Sequence, residues 1–122
     1  MTSILAPALA AIASLVASAA LAGPPTITHA EAMRDDMGWK FTVTILHDDT
    51  GWDHYADAWD VLSEDGTVLA TRTLHHPHVE EQPFTRSLRQ VLLPDGTRRV
   101  YIRAHCSKGA ATKEPVPVDI PL

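Results

Sequence analysis

The sequence predicts an all-β protein, a single antiparallel β-sandwich of about seven strands of the immunoglobulin or fibronectin kind. Apolar and polar residues alternate along short segments, turn signals recur about every ten residues, and residues 23–122 show no helical period. Trp59 lies in the third segment, where such sandwiches bury a tryptophan, so we expect it in the core. Because Cys106 is the single cysteine, packing or a bound ion must replace an internal disulfide.

The first two expected strands are separated by a short turn. Residues 26–33 form the first strand, and the turn covers residues 34–38. Residues 39–45 alternate apolar and polar side chains, which indicates a second strand with one buried face. The polar loop 47–54 follows and leads into the third strand.

The third and fourth expected strands form a hairpin. The third strand is centred on Trp59, with the polar Asp57 in phase with its apolar residues. Residues 63–66 contain an Asp-Gly pair suited to the positive φ of a hairpin turn. The fourth strand then covers residues 67–74.

Three further strands complete the expected sandwich. The fifth covers residues 84–93, and a tight turn at 94–96 leads to the sixth at 100–105. A loop of small residues at 107–112 precedes the last strand, 114–122. Its three prolines suit only the edge of a sheet, because proline cannot donate to a ladder of hydrogen bonds.

Residues 1–22 are predicted to be a secretory signal peptide. Residues 4–21 are an alanine-rich apolar run, and Ala20-Leu21-Ala22 is a small-x-small cleavage site before Gly23. The alternative is an uncleaved membrane anchor. We expect cleavage, a single mature domain at 23–122 that is periplasmic or secreted, and no membrane span after cleavage, since no second apolar run of spanning length exists.

The charge of the chain excludes one class of partner. The formal net charge is −5, and the predicted leader contains no charged side chain, so the mature domain is acidic. A nucleic-acid-binding domain would show a basic face. We therefore expect a metal ion or a protein as partner, and no nucleic acid; the sequence does not indicate an oligomeric state.

The segment 74–84 is the richest in metal-ligating side chains. Pro77 favours an extended backbone at the residue before it, so His76, His78 and Glu80 are expected on one face. Neutral imidazole and carboxylate oxygen are ligands for Zn²⁺ and Cu²⁺. The alternative is a solvated polar loop.

The predicted topology brings the histidines together. Loops after the second, fourth and sixth strands lie at one pole of a sandwich, and all seven histidines fall in or near them. Loops over a rigid scaffold are a common place for function. The sequence thus predicts a Zn²⁺ or Cu²⁺ site, the alternative being a polar end-cap. The candidate ligands are His76, His78, Glu80, His54, His105 and His75.

Other chemistries find less support. A blue-copper site needs a histidine soon after its cysteine, and residues 107–111 contain none. Cys106 is in phase with Val100 and Ile102, so we expect a buried structural thiol. No nucleophile elbow, phosphate-binding loop or His-Glu-x-x-His motif is present. We therefore do not expect an enzyme, and a small metal-dependent hydrolase is the least favoured hypothesis.

Two motifs carry a resemblance to known sequences. The segment Trp52-Asp53-His54-Tyr55-Ala56-Asp57-Ala58-Trp59 and the pair of segments 76–78 and 81–88 resemble signatures of a group of small exported bacterial proteins. The group has no established activity, so the resemblance implies an exported domain only. The alternative to metal binding is a non-enzymatic accessory or adhesion-like domain that binds a protein, with Trp52 either a contact residue or a lid over the core.

Overall fold

The chain forms two antiparallel sheets around one apolar core. The computed structural model describes residues 23–121, so the predicted signal peptide at 1–22 lies outside the described residues. Within 23–121, no stretch forms a helix of the length and apolarity needed to span a bilayer. The prediction of an all-β antiparallel sandwich is confirmed, while the immunoglobulin or fibronectin type stays a prediction.

Seven strands are present in the described part of the chain. One sheet has the order β1-β2-β5 and the other β4-β3-β6-β7. Strand β7 is an edge strand, which agrees with the proline content expected there. The strands are β1 (Thr26–Asp35), β2 (Gly38–Leu46), β3 (Ala56–Leu62), β4 (Val68–Thr73), β5 (Phe84–Val91), β6 (Arg99–Cys106) and β7 (Val116–Asp119).

The core is built from the inner faces of both sheets. Phe41 of β2, Trp59 of β3 and Ile102 of β6 are all fully buried, and Phe84 of β5 is nearly so. The alternating apolar residues of the predicted strand 39–45 therefore form its buried face. Trp59 is the core tryptophan, as predicted. Such burial of apolar surface is the main stabilising contribution in a domain without a disulfide.

A β-bulge in β3 corrects the predicted phase of that strand. Its register against β6 shifts between Ala56 and Ala58. Ala56 and Trp59 are both fully buried although they are three positions apart, because the bulge resets the alternation. Asp57 lies at the bulge, half-buried, and its Oδ1 is 3.6 Å from Nδ1 of His105. It does not share the apolar face of Trp59.

Three loops meet at one end of the sandwich. Ile45 near the end of β2 pairs with Phe84 at the start of β5, and Ala56 at the start of β3 pairs with Cys106 at the end of β6. The loops 47–55, 74–83 and 107–115 therefore leave the sheets side by side. We call this end the histidine pole.

Candidate metal centre

Five side chains that carry polar atoms or a thiol are buried at the histidine pole. His47, Asp49, His54, His78 and Cys106 are between 3% and 7% exposed. Burying polar groups is costly unless hydrogen bonds or a bound ion compensate. The hydrogen-bond partners of these five side chains therefore indicate whether a polar atom is left free to bind an ion.

Asp49 fixes the arrangement by accepting three hydrogen bonds. Its Oδ2 accepts the backbone N–H of His78 at 2.7 Å, and its Oδ1 accepts the N–H of Ala56 at 2.9 Å. Oδ1 also lies 2.6 Å from Nδ1 of His47. Because both oxygens accept backbone N–H groups, we assign the proton to Nδ1 of His47, which leaves the lone pair on Nε2.

The free nitrogen of His47 belongs to a compact group of possible ligands. His47 Nε2 is buried and has no hydrogen-bond partner within residues 23–121. His54 Nε2 lies 3.3 Å from Sγ of Cys106, and the two imidazole rings meet edge to face at 4.8 Å between centroids. One ligating atom from each of His47, His54 and Cys106 lies within 4.8 Å of the others. We call these three residues the His47–His54–Cys106 group.

This spacing suits a transition metal ion. With Zn–N near 2.0 Å and Zn–S near 2.3 Å, tetrahedral ligands N and S lie about 3.5 Å apart. The distance from His54 Nε2 to Cys106 Sγ is 3.3 Å, close to that value, and the ligating atoms of the three residues all lie within 4.8 Å of one another. The carboxylate of Asp49 accepts a hydrogen bond from Nδ1 of His47, and a carboxylate in this position commonly orients a metal-bound imidazole.

The six residues predicted as ligands are distributed over several environments. His54 belongs to the His47–His54–Cys106 group. The ring of His78 stacks on Phe84, 4.0 Å between centroids, and His76 is exposed, 4.7 Å from His78 between ring centroids. His75 and Glu80 are exposed.

His105, the sixth, is engaged on the outer face of the β4-β3-β6-β7 sheet. Its Nε2 lies 2.9 Å from Oδ2 of the buried Asp60. Burial acts to raise the pKa of Asp60, but hydrogen bonds from Thr71, His105 and Arg103 outweigh it and hold the pKa below its usual value. His105 thus belongs to the polar network around Asp60 and not to the His47–His54–Cys106 group.

The sequence prediction did not include His47 and Cys106 among the candidate ligands that accompany His54. Cys106 is buried, as its phase in β6 predicted. A histidine close after Cys106 in sequence is not what approaches the thiol, because both histidines come from the loop between β2 and β3. The pairing of Ala56 with Cys106 places that loop against the thiol.

Comparisons with known proteins give one partial match. No family profile matches the chain, and no solved structure matches it. A protein of Halomicrobium mukohataei described as "Putative lipoprotein" is 46% identical over 66 residues, which cover 54% of this chain and 32% of that protein. The chain therefore spans about a third of the length of this relative.

Proposed function

We propose that this is an exported β-sandwich protein that binds Zn²⁺ or Cu²⁺ through His47, His54 and Cys106. The observation that carries the proposal is the buried Nε2 of His47, which lacks a partner within residues 23–121 and is held beside the His54–Cys106 contact by Asp49. A buried polar atom without a partner costs about 1–3 kcal/mol. Coordination of a metal ion removes that cost.

The donor set narrows the choice of metal. Two imidazoles and one thiolate are ligands for zinc, which accepts three protein ligands and an open fourth position. The same trigonal set with a weak axial ligand binds copper in electron-transfer sites. Hard cations such as Mg²⁺ and Ca²⁺ prefer oxygen ligands, so the group selects against them.

Export is supported by two independent features. The leader-like segment 1–22 ends in a small-x-small motif, and the partial relative is described as a lipoprotein. We expect the mature N-terminus to be Gly23. Mass spectrometry of the protein recovered from the expressing cells checks this, and recovery of a membrane-bound species that retains Met1 would show that the segment is an anchor.

Metal binding should stabilise the domain at neutral pH. With Zn²⁺ at 100 times its Kd, we expect the free energy of unfolding to rise by about 2.7 kcal/mol. Ligation needs neutral imidazole and thiolate, so the gain shrinks as the pH is lowered. Thermal unfolding of the reduced protein with Zn²⁺, Cu²⁺ or a chelator measures the gain.

Matched variants separate this site from the exposed loop. Cys106→Ala and His54→Ala should lose the metal-dependent gain, whereas His76→Ala should keep it because His76 is exposed and outside the group. Loss in His76→Ala but not in Cys106→Ala would move the site to the 74–84 segment. No gain in the unaltered protein would end the metal proposal and leave a protein-binding domain, with Trp52, 67% exposed, as its contact residue.

A further inference from the structure

A small cavity at the histidine pole lies apart from the His47–His54–Cys106 group. It has a volume of about 80 Å³ and is partly open to solvent. None of the His47–His54–Cys106 group lines it. Its lining residues are Arg72, Leu74, His75, His76, His78 and Arg86.

The cavity is rich in positive charge. Arg72 donates from Nε to the carbonyl of Ser87 at 2.9 Å and from Nη1 to that of Thr73 at 2.5 Å, and no carboxylate pairs with it within residues 23–121. Arg86 has a carboxylate partner, Glu81, at 3.1 Å, but that carboxylate is 57% exposed. Arg86 also donates from Nη1 to the carbonyl of Thr85 at 2.7 Å. Two arginines thus line the cavity, and Glu81 is the one carboxylate paired with either of them within residues 23–121.

His78 contributes a buried imidazole that lacks a partner. The residue is 6% exposed, and neither ring nitrogen has a hydrogen-bond partner in the described part of the chain. Burial lowers the pKa of His78, and the positive charges of Arg86 and His76 lower it further, against smaller opposing effects of Asp49 and Glu81. Whichever tautomer is present, the ring keeps one N–H to donate.

We propose that this cavity binds a small oxyanion of the phosphate type, held by Arg72, Arg86 and His78. Guanidinium groups form charge-assisted hydrogen bonds with the oxygens of such anions. The volume of about 80 Å³ falls far short of the ~300 Å³ of a typical ligand pocket, so the cavity suits a small ion rather than a larger organic ligand.

Inorganic phosphate is the probe that tests the proposal. We expect saturable binding to the purified protein at constant ionic strength, followed through the NMR signals of the His78 ring. The bound anion should raise the pKa of His78, because it reverses the local positive field. Arg86→Gln should raise the Kd for phosphate about tenfold to a hundredfold, as should Arg72→Gln.

Controls make each outcome decisive. Arg99→Gln removes an arginine that pairs with Asp119 and lies outside the cavity, so its Kd should be unchanged. Since Arg72 also binds backbone carbonyls, Arg86→Gln is the decisive variant if Arg72→Gln fails to fold. Cys106→Ala should keep phosphate binding, which separates this cavity from the metal proposal. A phosphate response that does not saturate, equal loss in Arg99→Gln, or a response of His78 to Zn²⁺ but not to phosphate would overturn the inference.

Discussion

Replacement of Trp59 by alanine is expected to lower the free energy of unfolding by about 3–5 kcal/mol. Trp59 is fully buried and lies in the central strand β3, where its backbone partners are Arg72 of β4 and Ala104 of β6. The large cavity left behind cannot collapse, because strands on both sides hold the backbone. Folded domains typically have a free energy of unfolding of about 5–15 kcal/mol, so the expected loss is a large part of the stability.

Chemical denaturation with urea measures this change. Trp52→Ala is the matched control, since Trp52 is 67% exposed and contacts Tyr55 edge to face at 5.6 Å between ring centroids. We expect the control to cost about 1 kcal/mol or less. A loss under about 1 kcal/mol for Trp59→Ala would contradict the assignment of Trp59 to the core.

Replacement of Asp49 by alanine is expected to lower the free energy of unfolding by about 3 kcal/mol or more. Three buried donors lose their acceptor, and each unsatisfied donor costs about 1–3 kcal/mol. The donors are Nδ1 of His47 and the backbone N–H groups of Ala56 and His78. If His47 binds metal as proposed, the variant should also weaken metal binding about tenfold or more, because the carboxylate of Asp49 orients the imidazole of His47.

Asp48→Ala provides the control for Asp49. Asp48 is the neighbouring residue with the same side chain, but it is exposed. We expect its free energy of unfolding to stay within about 0.5 kcal/mol of the unaltered protein. Equal effects of the two substitutions, measured by urea denaturation and Zn²⁺ titration, would mean that Asp49 does not organise the pole.

The sandwich was predictable because its signals are local. Alternation around Phe41 and Val43 and the Asp-Gly turn at 65–66 each act over a few residues, and the prolines in and beside β7 indicate an edge strand in the same way. The bulge at Ala56 was not predictable from alternation, since it shows in sequence only as the misplaced polar Asp57.

The members of the His47–His54–Cys106 group were harder to predict from the sequence than the fold was. Which loop histidine turns inward depends on Asp49, whose partners Ala56 and His78 lie seven and 29 positions away. Such contacts leave no periodic pattern. Segment 75–78 contains three histidines and therefore gives a visible sequence signal. His47 and Cys106 are isolated in the sequence and approach each other only when the two sheets pack.

The contact between His54 and Cys106 joins residues 52 positions apart, so the proposed metal site depends on the folded chain. An unfolded chain holds these donors far from one another, so the site exists only once β3 and β6 have paired. If the chain carries the proposed secretory signal and crosses the membrane unfolded, it would leave the cytoplasm before the proposed metal site has formed. A metal bound at the proposed site would then come from the supply outside the cell rather than from the cytoplasmic pool.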